Sequence, residues 1–357
     1  QNAPSPTGTK PQVKQMLDRR SARGTKIDNS IKWYYHIVMK PPYEITKKIL
    51  ELYGQIQEAL GICQSILLVK PEAKLRKQNR IKTIHSSLAI EGNTLNIEHI
   101  TAIIDNNHVI GPKKDILEVQ NAVKAYEQLS TFKPNQIKDF LKAHKVLMTG
   151  LVSNPGQFRK SQVGILKGKS VSHIAPGYTM VPGLMADLFD YLQKDTDLEI
   201  IKSCVFHYEM EFIHPFEDGN GRMGRFWQTR LLMNVNPIFE FVPIEEVIRD
   251  NQQEYYNTLE LSDNSGSSTC FIEFMLNVIN KALRNTIKES TPTTTDYTKR
   301  IEYALSKLDN WFDRKEYLNV CKGISTATAS RDLKQLLEDG LIESTGTGRM
   351  MKYRRRV

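Results

Sequence analysis

Along this chain apolar residues recur mostly every three or four positions, the period of helices with one buried face. ITKKILELYGQIQEALG (45–61) carries that stripe, and IKTIHSSLAIEGNTLN (81–96) continues it as far as the stop Gly92-Asn93. DILEVQNAVKAYEQL (115–129) and NQIKDFLKAHKVLMTGL (135–151) form a second helical block that ends at Asn154-Pro155-Gly156. The period then breaks. QFRKSQVGILKGKSVSHIAPGYTMVPG (157–183) is β-prone and rich in Gly and Pro, which predicts a hairpin with a long surface loop. Helical spacing returns in LMADLFDYLQ, DLEIIKSCVFHYEMEFI, RFWQTRLLMNV, NQQEYYNTLELS and CFIEFMLNVINKALRNTI.

These segments divide the chain into a flexible polar tail (1–30), a helical region (31–110), a core (111–287), a Thr-rich linker (288–297) and a last unit (298–357). That last unit reads as two helices, a Ser/Thr-capped helix with Leu333, Leu336 and Leu337 on one face, and two strands about a Gly-rich turn. This is the winged-helix order, a variant of helix-turn-helix.

At 357 residues and 41.0 kDa the chain can bury a sizeable core. No stretch reaches a membrane span's length and no secretory leader pattern follows Gln1, so a cytoplasmic protein with no membrane partner is expected. Cys63, Cys204, Cys270 and Cys321 lie far apart with no CxxC, which argues for buried thiols rather than zinc or disulfides. The formal charge is +9, and residues 298–357 hold 13 Lys and Arg against 8 Asp and Glu, a net of +5. Nucleic acid is therefore one candidate partner of that unit, through Ser330, Arg331 and Lys334 in the groove and Arg349, Lys352 and Arg354–Arg356 on phosphates. A solvated face or a protein-binding module is the other reading.

The candidate chemistry sits in HPFEDGNGRMGR (214–225). Glycines between two helices leave backbone N–H groups facing an open site, and a helix start binds phosphate. Arg222 and Arg225 share a face and grip phosphate oxygens with forked donors. Asp218 suits Mg²⁺, which takes few protein ligands. His214, next to rigid Pro215, can accept a proton near neutral pH. A lone His-Pro is ordinarily a turn and two Arg a wetted face, but the combination indicates phosphoryl or nucleotidyl transfer to a hydroxyl.

The stretch resembles the Fic motif, HPFx[D/E]GN[G/K]RxxR, at every fixed position. The resemblance covers about residues 31–287 and implies a mainly α fold, a helical bundle with a β-hairpin flap, beside the small α+β winged-helix domain that often accompanies bacterial members. It implies a protein adenylyltransferase that moves AMP from ATP to a Tyr, Thr or Ser hydroxyl of a target protein or of itself. His214 would be the base, and Asp218 would hold Mg²⁺ on the α and β phosphates. Gly219, Asn220 and Gly221 would seat the phosphates in a nucleotide-binding run that includes Met223 and Gly224. Arg222 would take the β and Arg225 the γ phosphate, and Gly221 matches the adenylylating form where relatives with Lys phosphorylate. In the flap, Val163, Gly164, Ile165 and Leu166 would line the nucleotide, and Tyr256 and Asn264 match positions near the adenosine loosely. SLAIEG (87–92) resembles the family's inhibitory helix, in which Glu91, four residues after Ser87, pairs with Arg225 in place of the γ phosphate. Removal of AMP through a Glu91-activated water, and a DNA-binding regulator that only senses nucleotide, remain alternatives. A homodimer is compatible with all of them.

Overall fold

The structure, a computed structural model, describes residues 41–67, 73–167, 170–290, 297–308, 311–321 and 324–356. The expected tail and most of the linker lie outside them. The chain forms two compact units, divided between Thr286 and Ile287.

The larger unit is helical. Its helices are α1 (Lys47–Leu67), α2 (Ala73–Ile90), α3 (Ile97–Ile104), α4 (Lys113–Glu127), α5 (Ile137–Met148), α6 (Val181–Lys194), α7 (Glu199–Ile213), α8 (Asn220–Val235), α9 (Ile244–Asp250), α10 (Gln252–Ser265) and α11 (Thr269–Ser290). Between α5 and α6 stands an antiparallel hairpin of β1 (Gly164–Lys167) and β2 (Ser170–Ile174). The long surface loop expected here is instead the second strand, because Lys167 already pairs with Ser170. Helix α11 also runs to Ser290, into the stretch read as linker.

The fold is built around α7, which is buried on every face from Ile200 to Ile213. Helix α8 packs along it, and rings from α5, α6, α7 and α8 meet at Phe140, whose centroid lies 5.5 Å from Phe189, 6.0 Å from Phe206 and 5.2 Å from Trp227, with Phe216 of the following loop at 5.4 Å. Helix α1 buries Ile49, Leu52, Ile56, Ala59, Leu60 and Cys63, the helical stripe read from its sequence. It is held to α11 by Asn280 Nδ2 to Gln55 Oε1 at 2.7 Å and Arg284 to Glu58 at 2.8 Å. Helix α2 leans on α9, where Arg249 Nη1 donates to Ser86 Oγ at 3.1 Å. Of the free cysteines, Cys63, Cys204 and Cys321 are buried and Cys270 is half-buried.

The second unit runs α12 (Tyr297–Lys307), α13 (Arg314–Val320), α14 (Thr326–Glu338), β3 (Ile342–Thr345) and β4 (Lys352–Arg355), with β3 and β4 antiparallel. Ser325 caps α14 by accepting from Thr328 N at 3.1 Å, and Leu333 and Leu336 enter a core with Ile301, Phe312, Tyr317 and Ile342 while Leu337 is half-buried against it. Asp332 sits under this core, bound by both ends of the Arg300 guanidinium at 2.6 and 2.7 Å and by Tyr317 Oη at 3.1 Å. The expected element order is present.

Candidate active site

Helix α7 stops because His214 adopts φ 50, ψ 60, a left-handed conformation that a non-glycine residue holds only when its surroundings insist. Arg159, itself buried, supplies that insistence. Its backbone N–H donates to Pro215 O at 2.9 Å, Nε to His214 O at 2.8 Å, Nη1 to Ser161 O at 2.9 Å, and Nη2 to Pro176 O and Ile213 O. It thus ties the hairpin stem to the loop. Phe216 then turns inward and stacks on the His144 ring, with centroids 3.6 Å apart. The Asn220 carboxamide closes the loop, accepting from Phe216 N at 2.9 Å and donating to Phe216 O at 3.0 Å. Its side chain, read from sequence as a phosphate-positioning group, shapes the loop through Oδ1 and one of its two Nδ2 hydrogens. Gly219 has φ +85, and a Cβ there would stand 2.7 Å from Met148 Sδ. Helix α8 begins at Asn220, so its first N–H groups lack helical acceptors. Met223 is buried in the core beneath, and Gly224 lets α8 approach α7, since a Cβ would meet Glu211 Oε1 at 2.7 Å.

His214 Nδ1 lies 3.3 Å from Glu211 O. A carbonyl only accepts, so Nδ1 carries the hydrogen and Nε2 is the proton acceptor. Asp218 Oδ1 accepts from Gly219 N at 2.6 Å and from Arg222 Nη2 at 3.1 Å, while the side chain stays half exposed. Among the described residues no three His, Cys, Asp or Glu side chains form a metal cluster. One half-exposed carboxylate beside a helix start fits Mg²⁺, which takes few protein ligands and completes its shell with phosphates and water. The loop is steadied from below by His144. Its Nδ1 accepts from Gly156 N at 2.8 Å, which leaves Nε2–H to donate to Asp218 O at 3.0 Å. Burial pushes this imidazole down to about 4, so it stays neutral and keeps both bonds. Arg222 is buried, bound also to Glu118 Oε1 at 3.1 Å, and its Nε is a buried donor without a partner.

Arg225 is fully buried, with 1% of its side chain exposed. Nε donates to Ser87 Oγ at 3.2 Å, and Nη2 to Ser87 O at 2.9 Å and Glu91 Oε1 at 2.8 Å. Burial works against this cation, yet Glu91, Tyr255 and Glu211 together raise its pKa. Glu91 lies one residue beyond α2, in the turn that Gly92 makes at φ +86, and still keeps its four-residue offset from Ser87. A Cβ at Gly221 would run into the Glu91 carboxylate. Glycine at 221 thus leaves room for the ion pair.

Helix α7 buries acids without full compensation. Both oxygens of Glu209 and Oε1 of Glu211 lack hydrogen-bond partners, though His207 Nε2 lies 3.9 Å from the latter, and burial pushes both carboxyls up to about 8. Glu245, which accepts from Tyr126 Oη at 2.9 Å, is pushed up to about 7. In the opposite direction, burial holds His207 down at about 3. At pH 7 and above His144 and His207 are neutral when folded and largely neutral when unfolded, so the raised carboxyls of Glu209, Glu211 and Glu245 dominate. The unfolded chain releases these protons near pH 4.5 and the folded chain keeps them to about 7 or 8, so stability is lost as pH rises from about 4.5 and the loss is complete once the folded carboxyls titrate. Within that window each group costs at most about 1.4 kcal/mol per pH unit, and the window closes near 7 for Glu245 and near 8 for Glu209 and Glu211. The melting temperature should fall from pH 7 to 8, and Glu209→Gln should flatten that fall; an unchanged slope in thermal melts would remove Glu209 as a contributor.

The remaining sequence candidates are more dispersed. Gly164, Ile165 and Leu166 lie in β1, Val163 just before it is half-buried, and β2 runs against α10. On α10, Tyr255 is buried with its hydroxyl 3.1 Å from His207 Nε2, whereas Tyr256 is exposed, accepts from Gln252 Nε2 at 3.4 Å and feels the charges of Glu91 and Arg225. Asn264 is exposed about two turns further on. In the second unit, Ser330, Arg331 and Lys334 are exposed on α14. Arg354 pairs with Glu343 and lies 4.9 Å from the Trp311 ring centroid, and the Arg349 side chain lies outside the described residues. Sequence reading missed Arg159, His144 and Glu118. The last two had a signal, a charged or titratable residue on the buried stripe of a helix, while Arg159 had none.

Residues 134–232 match the Fic/DOC family. The chain is 29% identical to the protein adenylyltransferase Fic of Drosophila erecta over 226 residues, 59% of this chain and 42% of that protein. It is 25% identical to the namesake of Aedes aegypti, covering 67% and 48%. It thus spans about half the length of these curated relatives. Among solved structures, a Fic family protein from Desulfovibrio desulfuricans G20 superposes with a TM-score of 0.70 at 37% identity, covering 89% of this chain and 98% of that one. Fic-1 of C. elegans shares the fold with a TM-score of 0.56 at 22% identity. With a closely superposing relative matched over nearly its whole length, and the motif residues gathered at one helix start, this chain belongs to the Fic family.

Proposed function

We propose that the chain transfers AMP from ATP to a Tyr, Thr or Ser hydroxyl and that Glu91 restrains it. The observation that carries this reading is the convergence at one helix start of the acceptor nitrogen of His214, the half-exposed carboxylate of Asp218 and the buried Arg222 and Arg225. Phosphates seat on the first N–H groups of α8, with Arg222 on the β and Arg225 on the γ phosphate. His214 Nε2 takes the hydroxyl proton as the oxygen bonds to the α phosphorus. The bond from that phosphorus to the α–β bridging oxygen breaks, and pyrophosphate leaves. Asp218 would hold Mg²⁺, which when bound offsets the phosphate charge. Glu91 takes the position on Arg225 that the γ phosphate needs, so nucleotide sits out of the reactive pose.

The hairpin is suited to presenting an extended target segment by strand addition. The target is another protein or a copy of this chain, within a homodimer or between monomers. No described helix is long and apolar enough to cross a membrane, and the four free cysteines suit a reducing compartment such as the cytoplasm. The test uses full-length chain carrying Glu91→Gly with ATP labelled on the α or the γ phosphate. Label on protein from the α position alone is expected, and absence of label from itself and every lysate protein sinks the reading. Release of AMP from a modified target by the chain with Glu91 intact, lost in Glu91→Gly, would reassign it to AMP removal.

For the second unit, DNA binding is a further reading, resting on exposed Ser330, Arg331 and Lys334 along capped α14. Full-length chain should retard duplex DNA at low salt and lose this with Arg331→Glu and Lys334→Glu together; equal retardation by both removes it.

A further inference from the structure

The turn that carries Glu91 has a second connection to the phosphate site. Thr94 donates through its backbone N–H and its hydroxyl to Asp115 Oδ2, at 2.8 and 2.6 Å. Asn93 Nδ2 donates to Asp115 O at 3.1 Å and to Glu118 Oε2 at 2.8 Å. Glu118 is 6% exposed on α4, and its other oxygen, Oε1, accepts from Arg222 Nη1 at 3.1 Å. Lys114 Nζ, 3.8 Å from the same oxygen, is largely exposed and weakly coupled. One buried carboxylate therefore has one oxygen on the inhibitory turn and one on an arginine of the motif. Arg222 is held on two sides, by Glu118 through Nη1 and by Asp218 through Nη2, which leaves its Nε as the unmet donor.

We propose that Glu118 is a positioning residue for the β phosphate, fixing Arg222 beside Asp218 and tying it through Asn93 to the turn that bears Glu91. The inhibitory turn then governs both arginines, Arg225 directly and Arg222 through Glu118. The physical reason is economy of buried charge. A guanidinium out of water needs a fixed anion, and an anion shared with Asn93 ties its geometry to where the turn stands. This inference rests on the nucleotide reading above.

ADP carries a β phosphate and AMP does not, so their relative affinity reads Arg222 without requiring catalysis. In a full-length Glu91→Gly parent, Glu118→Ala should weaken ADP binding about tenfold or more, the size of one lost charge-assisted hydrogen bond, and AMP binding less than about twofold. Glu118→Gln, which keeps an acceptor oxygen for Arg222 but sets an NH₂ against that of Asn93, should fall between them and keeps the test open if the alanine variant folds poorly. In a chain that retains Glu91, Asn93→Ala should raise ADP affinity several-fold with AMP unchanged. Equal shifts for ADP and AMP, or none, with a parent that binds both, overturn the role of Glu118 alone. No effect of Asn93→Ala breaks the tie to the turn. A parent that binds neither nucleotide defeats this inference and the proposed function together.

Discussion

Replacing Glu91 with glycine should raise AMP labelling by about a hundredfold or more, because the change vacates a buried cation rather than a surface one. Arg225 has 1% of its side chain exposed, and Glu91 Oε1 at 2.8 Å is its direct carboxylate partner. Breaking such a pair by removing one member costs about 3–5 kcal/mol, since the other charge is stranded away from water. An incoming γ phosphate restores the missing anion and recovers that cost, so it converts to a gain of about two to four powers of ten in the reactive nucleotide pose. Ser87 stays on the guanidinium through its hydroxyl and carbonyl, so Arg225 remains aimed. Removing Glu91 also opens the space over Gly221 that the carboxylate fills. Label incorporation in the wild-type and variant chains at equal ATP measures the effect, and equal rates would mean that this ion pair restrains nothing.

In that released background, His214→Ala should abolish most of the gain, by about 10²–10⁴ in rate, while ATP affinity changes little. In the proposed step the imidazole takes a proton and holds no phosphate. Its role comes from a tautomer set by Glu211 O and from a backbone held left-handed by Arg159. Single-turnover labelling beside equilibrium ATP binding separates the two quantities. A variant that keeps its labelling rate, or that loses rate and binding together, would take the base role from His214.

The contrast between Asn220 and Glu118 shows how far the residues could be read in advance. Both are polar and buried. Asn220 lies inside a recognisable motif, yet its carboxamide proved to bond the Phe216 backbone, a task that only loop geometry reveals. Glu118 lies 104 residues from Arg222 and carried only the weak signal of an acid among the buried positions of α4. The hairpin was expected from composition, but its register depended on which residues actually pair across it, a choice made between strands.

The sequence by itself determined what is local. Helical period, stops at Gly92 and Gly340, the cap at Ser325 and the base, carboxylate and arginines of one twelve-residue run all follow from neighbours within a few positions. Tertiary structure decided what depends on distance through space. It set the burial of Arg225, the approach of Glu91 across 134 residues and the Arg159 brace on His214, as well as the sharing of Glu118 between Arg222 and Asn93. The reason is physical. Propensity and capping act along the chain, whereas desolvation and charge pairing act between surfaces that exist only once the helices have packed.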